Sequence, residues 1–254
     1  MNGDTPLFST MARLFATQAG LYCVPALIAG IIGVALFTAV ALSILPAAHP
    51  MQGDPRTIWQ SLTVGGKLIA VFGLLFALWL PVLLGARGVC RVATEQISGR
   101  PVSVAQIVVD MLRFLPAALV YSLVIGLPTM IGFSMCFVPS LLIAALFALV
   151  VPTGVNEPEG IFATLGRGVS LAIKVYGGLF LLTLACTAVM IFVTVLRIFG
   201  LDRFLTGAPA TTFALRFAVM YIPGLLLLVL ANICFTLLYL HARGAEAKAA
   251  ASNS

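Results

Sequence analysis

The sequence predicts an all-α integral membrane protein with six transmembrane helices and amphipathic helices lying in the interface. Three observations predict it. Of the 254 residues, 61% are hydrophobic and only 9% are charged, whereas a soluble domain carries roughly a quarter charged residues. Six stretches, about 21–45, 68–84, 114–133, 137–151, 175–195 and 217–240, approach the ~20 apolar residues that cross a bilayer. The polar segments between them carry helix-start signals. The division that follows is an N-terminal interfacial helix over 1–19, a six-span membrane domain over 20–241 and a mobile cytoplasmic tail over 242–254.

Thr5-Pro6 opens the first helix with a capping hydroxyl and a proline at the first helical position. Leu7, Phe8, Met11, Leu14 and Phe15 recur at helical spacing, with Ser9, Thr10, Arg13 and Thr17 on the other side. Such a helix lies in the interface rather than crossing. The apolar run that follows is much longer than the core of a cleaved signal, so a retained span is expected. Between the first two spans, Asp54-Pro55 is another helix start. Trp59 and Lys67 there suit the headgroup level.

After the second span, Arg87, Arg91 and Glu95 are spaced by four and share a face. The helix is expected to run on into water, with Arg91 and Glu95 paired. Ser98-Gly99 ends it. Ser103 and Gln106 then match a capping box, opening an amphipathic helix with Gln106, Asp110 and Arg113 on its polar side. The third and fourth spans are separated only by residues around 134–136, so a tight hairpin is expected. The fourth ends near Pro152.

The most polar interruption of the second half runs from Pro152 to Lys174. A helix starting at Pro158 would gather Ile161, Phe162, Leu165, Val169, Ala172 and Ile173 on one face and Arg167, Ser170 and Lys174 nearly opposite. Glu157 and Glu159 would stand where the helix dipole favours negative charge. The face of Arg167, Ser170 and Lys174 is the expected contact for anionic lipid headgroups or for a membrane protein partner, with Glu157 bridging to Arg113 or Arg91.

Six spans put both ends on one side. That side carries Arg13, Arg87, Arg91, Arg100, Arg113, Arg167, Lys174, Arg243 and Lys248, against Arg56, Lys67, Arg197, Arg203 and Arg216 on the other. Nine basic residues against five favour a cell-membrane protein with both termini in the cytoplasm. The formal charge of +6 is spread between the spans. It suits headgroups rather than nucleic acid, and no nucleic-acid partner is expected.

Pro152, Glu157, Gly160, Leu165, Arg167 and Leu171 follow a pattern like P-x4-E-x2-G-x4-L-x-R-S-x2-L. The segment resembles the membrane-domain family associated with glycerophosphoryl diester phosphodiesterases, as does the run 97–120. Gly168 stands where that pattern has serine. The resemblance implies a six-span membrane part. In family members that are phosphodiesterases a soluble barrel domain follows it, and this sequence stops about a dozen residues after its last span. No catalytic site carries over, and no phosphodiesterase activity is expected.

No zinc-protease, nucleophile-elbow, phosphate-loop or paired-cysteine motif occurs, so neither catalysis nor a cofactor or metal is expected. His49 and His241 fall on opposite sides of the bilayer. The five cysteines, Cys23, Cys90, Cys136, Cys186 and Cys234, are isolated and read as small core residues. Glu157, Glu159 and Asp110 form the one conceivable acidic cluster. No ionisable residue lies at the hydrocarbon centre of a span. The polar residues at depth include Asn232, Tyr121 and Tyr221. The expected function is therefore a non-enzymatic membrane protein touching lipid headgroups or a partner. The alternative is a transporter or flippase of a lipid-like solute, with a bundle kinked at Pro25, Pro81, Pro128, Pro139 and Pro223 and a path lined by Asn232 and Tyr121 or Tyr221. A continuous polar groove reaching Asn232 would favour the alternative.

Overall fold

A computed structural model describes residues 7–44, 62–135, 137–157, 159–196 and 209–252. Among these, eight helices account for the secondary structure: α1 (Leu7–Ile44), α2 (Val64–Ile97), α3 (Val104–Met135), α4 (Phe137–Phe147), α5 (Val150–Asn156), α6 (Ile161–Lys174), α7 (Tyr176–Leu196) and α8 (Pro209–Ser252). Six helical stretches are long and apolar enough to cross a membrane: Ser9–Val40, Val64–Ile97, Val104–Ser134, Phe137–Asn156, Tyr176–Val195 and Pro223–Lys248. Their outer faces carry exposed Ile31, Phe37, Phe72, Leu123, Leu181 and Phe192. That much apolar surface is compatible with lipid and not with water. The protein is an all-α, multi-pass membrane protein.

α1 is interrupted at Gln18, whose backbone leaves the helical region (φ −143°, ψ 40°). The amphipathic first turns are thereby set off from the span. At the end of α2, Gly99 takes φ 69°. Arg100 N donates to Glu95 O at 2.9 Å and Gly99 N to Gln96 O at 3.2 Å, a paired closure that satisfies the last carbonyls of the helix. The capping box forms as expected: Ser103 N donates to Gln106 Oε1 at 2.9 Å and Gln106 N to Ser103 Oγ at 3.3 Å.

The hairpin between α3 and α4 is tight, since a Cβ at Gly132 would stand only 3.0 Å from Ser140 N. The fourth span differs from expectation. It is broken into α4 and α5 by a turn at Ala148 and Leu149. Pro152 supplies the reason: it has no N–H for the Ala148 carbonyl, and its ring crowds that carbonyl. The helix restarts with Thr153 N donating to Leu149 O at 2.9 Å.

Small residues let the helices approach. The Pro25 ring and Ala29 of α1 pack on Gly88 and Gly85 of α2, and Gly168 of α6 lies against the Val150 backbone. The main core joins α1, α2, α3, α5 and α8 around Tyr22, Val89, Cys90, Tyr121 and Ile233. A second core, with Leu149, Leu171, Leu179 and Tyr239, joins the later helices. Cys90 and Cys234 are buried as expected, but Cys23 faces outward. Cys136 lies outside the described residues, as do the loop containing His49, Arg56 and Trp59 and the segment carrying Arg197 and Arg203.

Candidate functional site

Polar groups from distant parts of the chain meet at one end of the bundle. Gln96 of α2 donates to the Leu14 carbonyl at 3.2 Å and to Thr17 Oγ1 of α1, and its Oε1 accepts from Tyr22 at 2.7 Å. The end of α2 is therefore sealed by α1 rather than running on into water. Asn156 donates to Thr94 Oγ1 at 3.3 Å. Tyr121, expected to line a path, is buried and donates to the Ile161 carbonyl at 2.9 Å, fixing the start of α6.

Two ionic groupings stand at this end. The first centres on Glu157, which closes α5. It accepts from Tyr239 at 2.7 Å and lies 3.2 Å from Arg167 and 3.4 Å from Arg243. Glu246 of α8 contacts Arg167 at 3.2 and 2.5 Å and also pairs with Lys174. Donation to the Glu246 carboxylate raises the Arg167 pKa above its ordinary value, against the opposing effect of burial and with Glu157 adding to the rise.

This geometry differs from four expectations. Glu157 bridges to Arg167 and Arg243, not to Arg113 or Arg91. Arg167 and Lys174 face carboxylates of their own chain, while Ser170 beside them is exposed. The tail from residue 242, expected to be mobile, is helical to Ser252 and supplies Glu246 to the grouping. Glu157, Glu159 and Asp110 do not form a cluster: Glu159 is exposed and Asp110 belongs to the second grouping. Tyr239, Arg243 and Glu246 were legible as one helical face by their spacing of four and three. Reading the segment as a tail hid that face.

The second grouping lines a cavity of about 570 Å³ between α2, α3 and α5. Arg87, Arg91, Gln106, Asp110, Arg113 and Val155 are on its wall. Arg87 is held by Asp110 through two bonds, 2.8 and 3.0 Å, and lies 5.1 Å from the centre of the Phe114 ring. Arg91 pairs with buried Glu95 at 2.7 Å, the expected helical pair. Arg113 is exposed and has no carboxylate partner among the described residues. Three guanidinium groups thus face this space with one carboxylate, Asp110, on the wall.

A further cavity of about 630 Å³ lies inside the spans and is lined mostly by apolar side chains, with Trp79, Thr183, Cys186, Thr187 and Asn232 as its hydrogen-bonding groups. Asn232 turns its amide to its own helix, donating to the Leu228 carbonyl at 2.8 Å. The Thr183 hydroxyl is shut off from solvent and has no hydrogen-bond partner among the described residues. Pro81 is on the wall, and Tyr121 is not. The side chain of Tyr221 lies outside the described residues. Asn232 is thus reached by an apolar hollow rather than a polar groove. Among the described residues no three His, Cys, Asp or Glu side chains gather as a metal site would need.

No family model, curated protein or solved structure matches this chain.

Proposed function

We propose that this is a non-catalytic protein of the cell membrane, with both termini in the cytoplasm, that holds the phosphate of an anionic lipid in the cavity of Arg91 and Arg113. The observation that carries the reading is the mismatch of charge at that wall, where Arg87 pairs with Asp110 and Arg91 with Glu95 while Arg113 has no carboxylate among the described residues. Guanidinium groups bind phosphate through paired N–H donors, and Gln106 adds a neutral donor. The cavity stands at the end of the bundle where the basic excess of the sequence gathers, which suits an anionic leaflet. Kinship with the phosphodiesterase-associated membrane domains stays part of this proposal: Glu157 and Arg167 pair as partners within that pattern, while Gly168 departs from it.

The test is a titration of the purified protein in mild detergent with short-chain phosphatidylglycerol, phosphatidylcholine, glycerol phosphate and inorganic phosphate. Phosphatidylglycerol is expected to bind most tightly. Arg113→Gln is expected to weaken it about tenfold, the ~1.4 kcal/mol of one charge-assisted hydrogen bond. Equal affinity for the two lipids, or no change in Arg113→Gln, overturns the reading. Binding of inorganic phosphate as tight as that of the lipid would make the ligand a free anion instead.

A further inference from the structure

The apolar cavity and the arginine cavity are stacked along the same helices. On α2 the apolar cavity is lined up to Leu83 and Ala86, and the arginine cavity begins at Arg87. On α5 the neighbouring lining residues are Val151 and Val155. Leu83 to Arg87 and Val151 to Val155 are each steps of four residues, about 6 Å along a helix.

The depth of the apolar cavity is that of one leaflet. Its lining on α2 runs from Ala77 to Ala86 and on α8 from Gly224 to Phe235. Those spans correspond to about 14 and about 16 Å of helix, against about 15 Å for half the hydrocarbon core. The cavity leads from the charged end toward the bilayer centre. Leu78 and Val82 on its wall are 49% and 43% exposed, so it reaches the lipid-facing surface of the bundle. Its volume lies within the range of small-molecule sites.

We infer that the apolar cavity is the seat of one acyl chain of the phospholipid whose phosphate the arginines hold. This rests on the headgroup reading above. The occupant is a lipid taken from the leaflet at the charged end, its phosphate at Arg91 and Arg113 and one chain entering the bundle beside Pro81, Ala148 and Ala231. A free phosphate has no use for an apolar hollow of leaflet depth. A water-soluble solute would need more polar groups than Trp79, Thr183, Cys186, Thr187 and Asn232 supply among so many apolar side chains.

The experiment fills the hollow and varies the lipid. Ala231→Phe and, separately, Ala148→Phe place a ring in the cavity, each checked for an unchanged melting temperature in detergent. Binding of phosphatidylglycerol with six-carbon and with sixteen-carbon chains is measured by native mass spectrometry. The unsubstituted protein is expected to retain the long-chain lipid at least tenfold better than the short. A filled variant is expected to lose that preference while keeping short-chain binding. Arg113→Gln is expected to weaken both lipids together, so failure of the headgroup reading is distinguishable from failure of this one. An unchanged chain-length preference in both filled variants that fold overturns the inference. Should both fail to fold, a photoactivatable label at the chain end is read out on the unsubstituted protein. Crosslinks at residues 77–86 or 224–235 are expected, and crosslinks confined to outer-face residues such as Phe192 overturn it.

Discussion

The two ionic groupings lie at the same end of the bundle and use the same residue types, yet they are built for different ends. Around Glu157 every cation has a carboxylate from another helix: Arg167 and Arg243 meet Glu157, and Arg167 and Lys174 meet Glu246. That grouping ties α5, α6 and α8 together. In the arginine cavity Arg87 and Arg91 have one carboxylate each and Arg113 has none among the described residues. The first grouping is closed on itself, and the second keeps charge in reserve. A basic helix face in sequence therefore says little about headgroup binding until its intramolecular partners are known.

The sharpest way to break this comparison is within the cavity. Arg87→Ala leaves Asp110 without its bidentate partner and removes the contact with Phe114. It should cost about 3 kcal/mol of stability, read as a lower melting temperature in lipid nanodiscs. Next, Gly168→Ser, the residue of the family pattern, puts a Cβ 2.8 Å from Val150 Cα. Overpacking of this kind costs about 2 kcal/mol, and a melting temperature equal to that of the unsubstituted protein would mean the α5–α6 contact is looser than the structure shows.

Glu246→Gln sharpens the contrast. It should lower stability by about 1 kcal/mol, free Lys174 and leave Arg167 with Glu157 alone, adding a second, weaker anionic lipid to the count retained per protein. A count unchanged from the unsubstituted protein would argue that this face takes no lipid even when opened. The smallest effect is Ser103→Ala, which removes half of the capping box and should cost about 1 kcal/mol without altering lipid retention.

The spans were legible because the bilayer demands a fixed length of apolar helix. Local polar chemistry was legible too: the Ser103–Gln106 box, the Arg91–Glu95 pair and the Gly99 stop all depend on residues a few positions apart. The packed face of α6 was not. Phe162 and Ile173, grouped on the expected apolar face, are 73% and 62% exposed, while Thr164, Gly168, Leu171 and Ala172 are buried. Lipid is as apolar as the core, so large hydrophobic side chains lose nothing by facing outward, and it is mainly small residues that mark close contact between helices. Contacts such as Arg87–Asp110 and Tyr239–Glu157 are set by tertiary packing, which neither charge nor periodicity reveals.

The central claim is that lipid phosphate is held at Arg91 and Arg113 and not at Arg167 and Lys174. Native mass spectrometry of two double variants, Arg91→Gln with Arg113→Gln and Arg167→Gln with Lys174→Gln, tests it most directly. The account predicts that the first loses its retained anionic lipid, with a lower melting temperature because buried Glu95 loses Arg91. The second is predicted to keep the lipid and melt lower. Lipid lost from the second and kept by the first would contradict it.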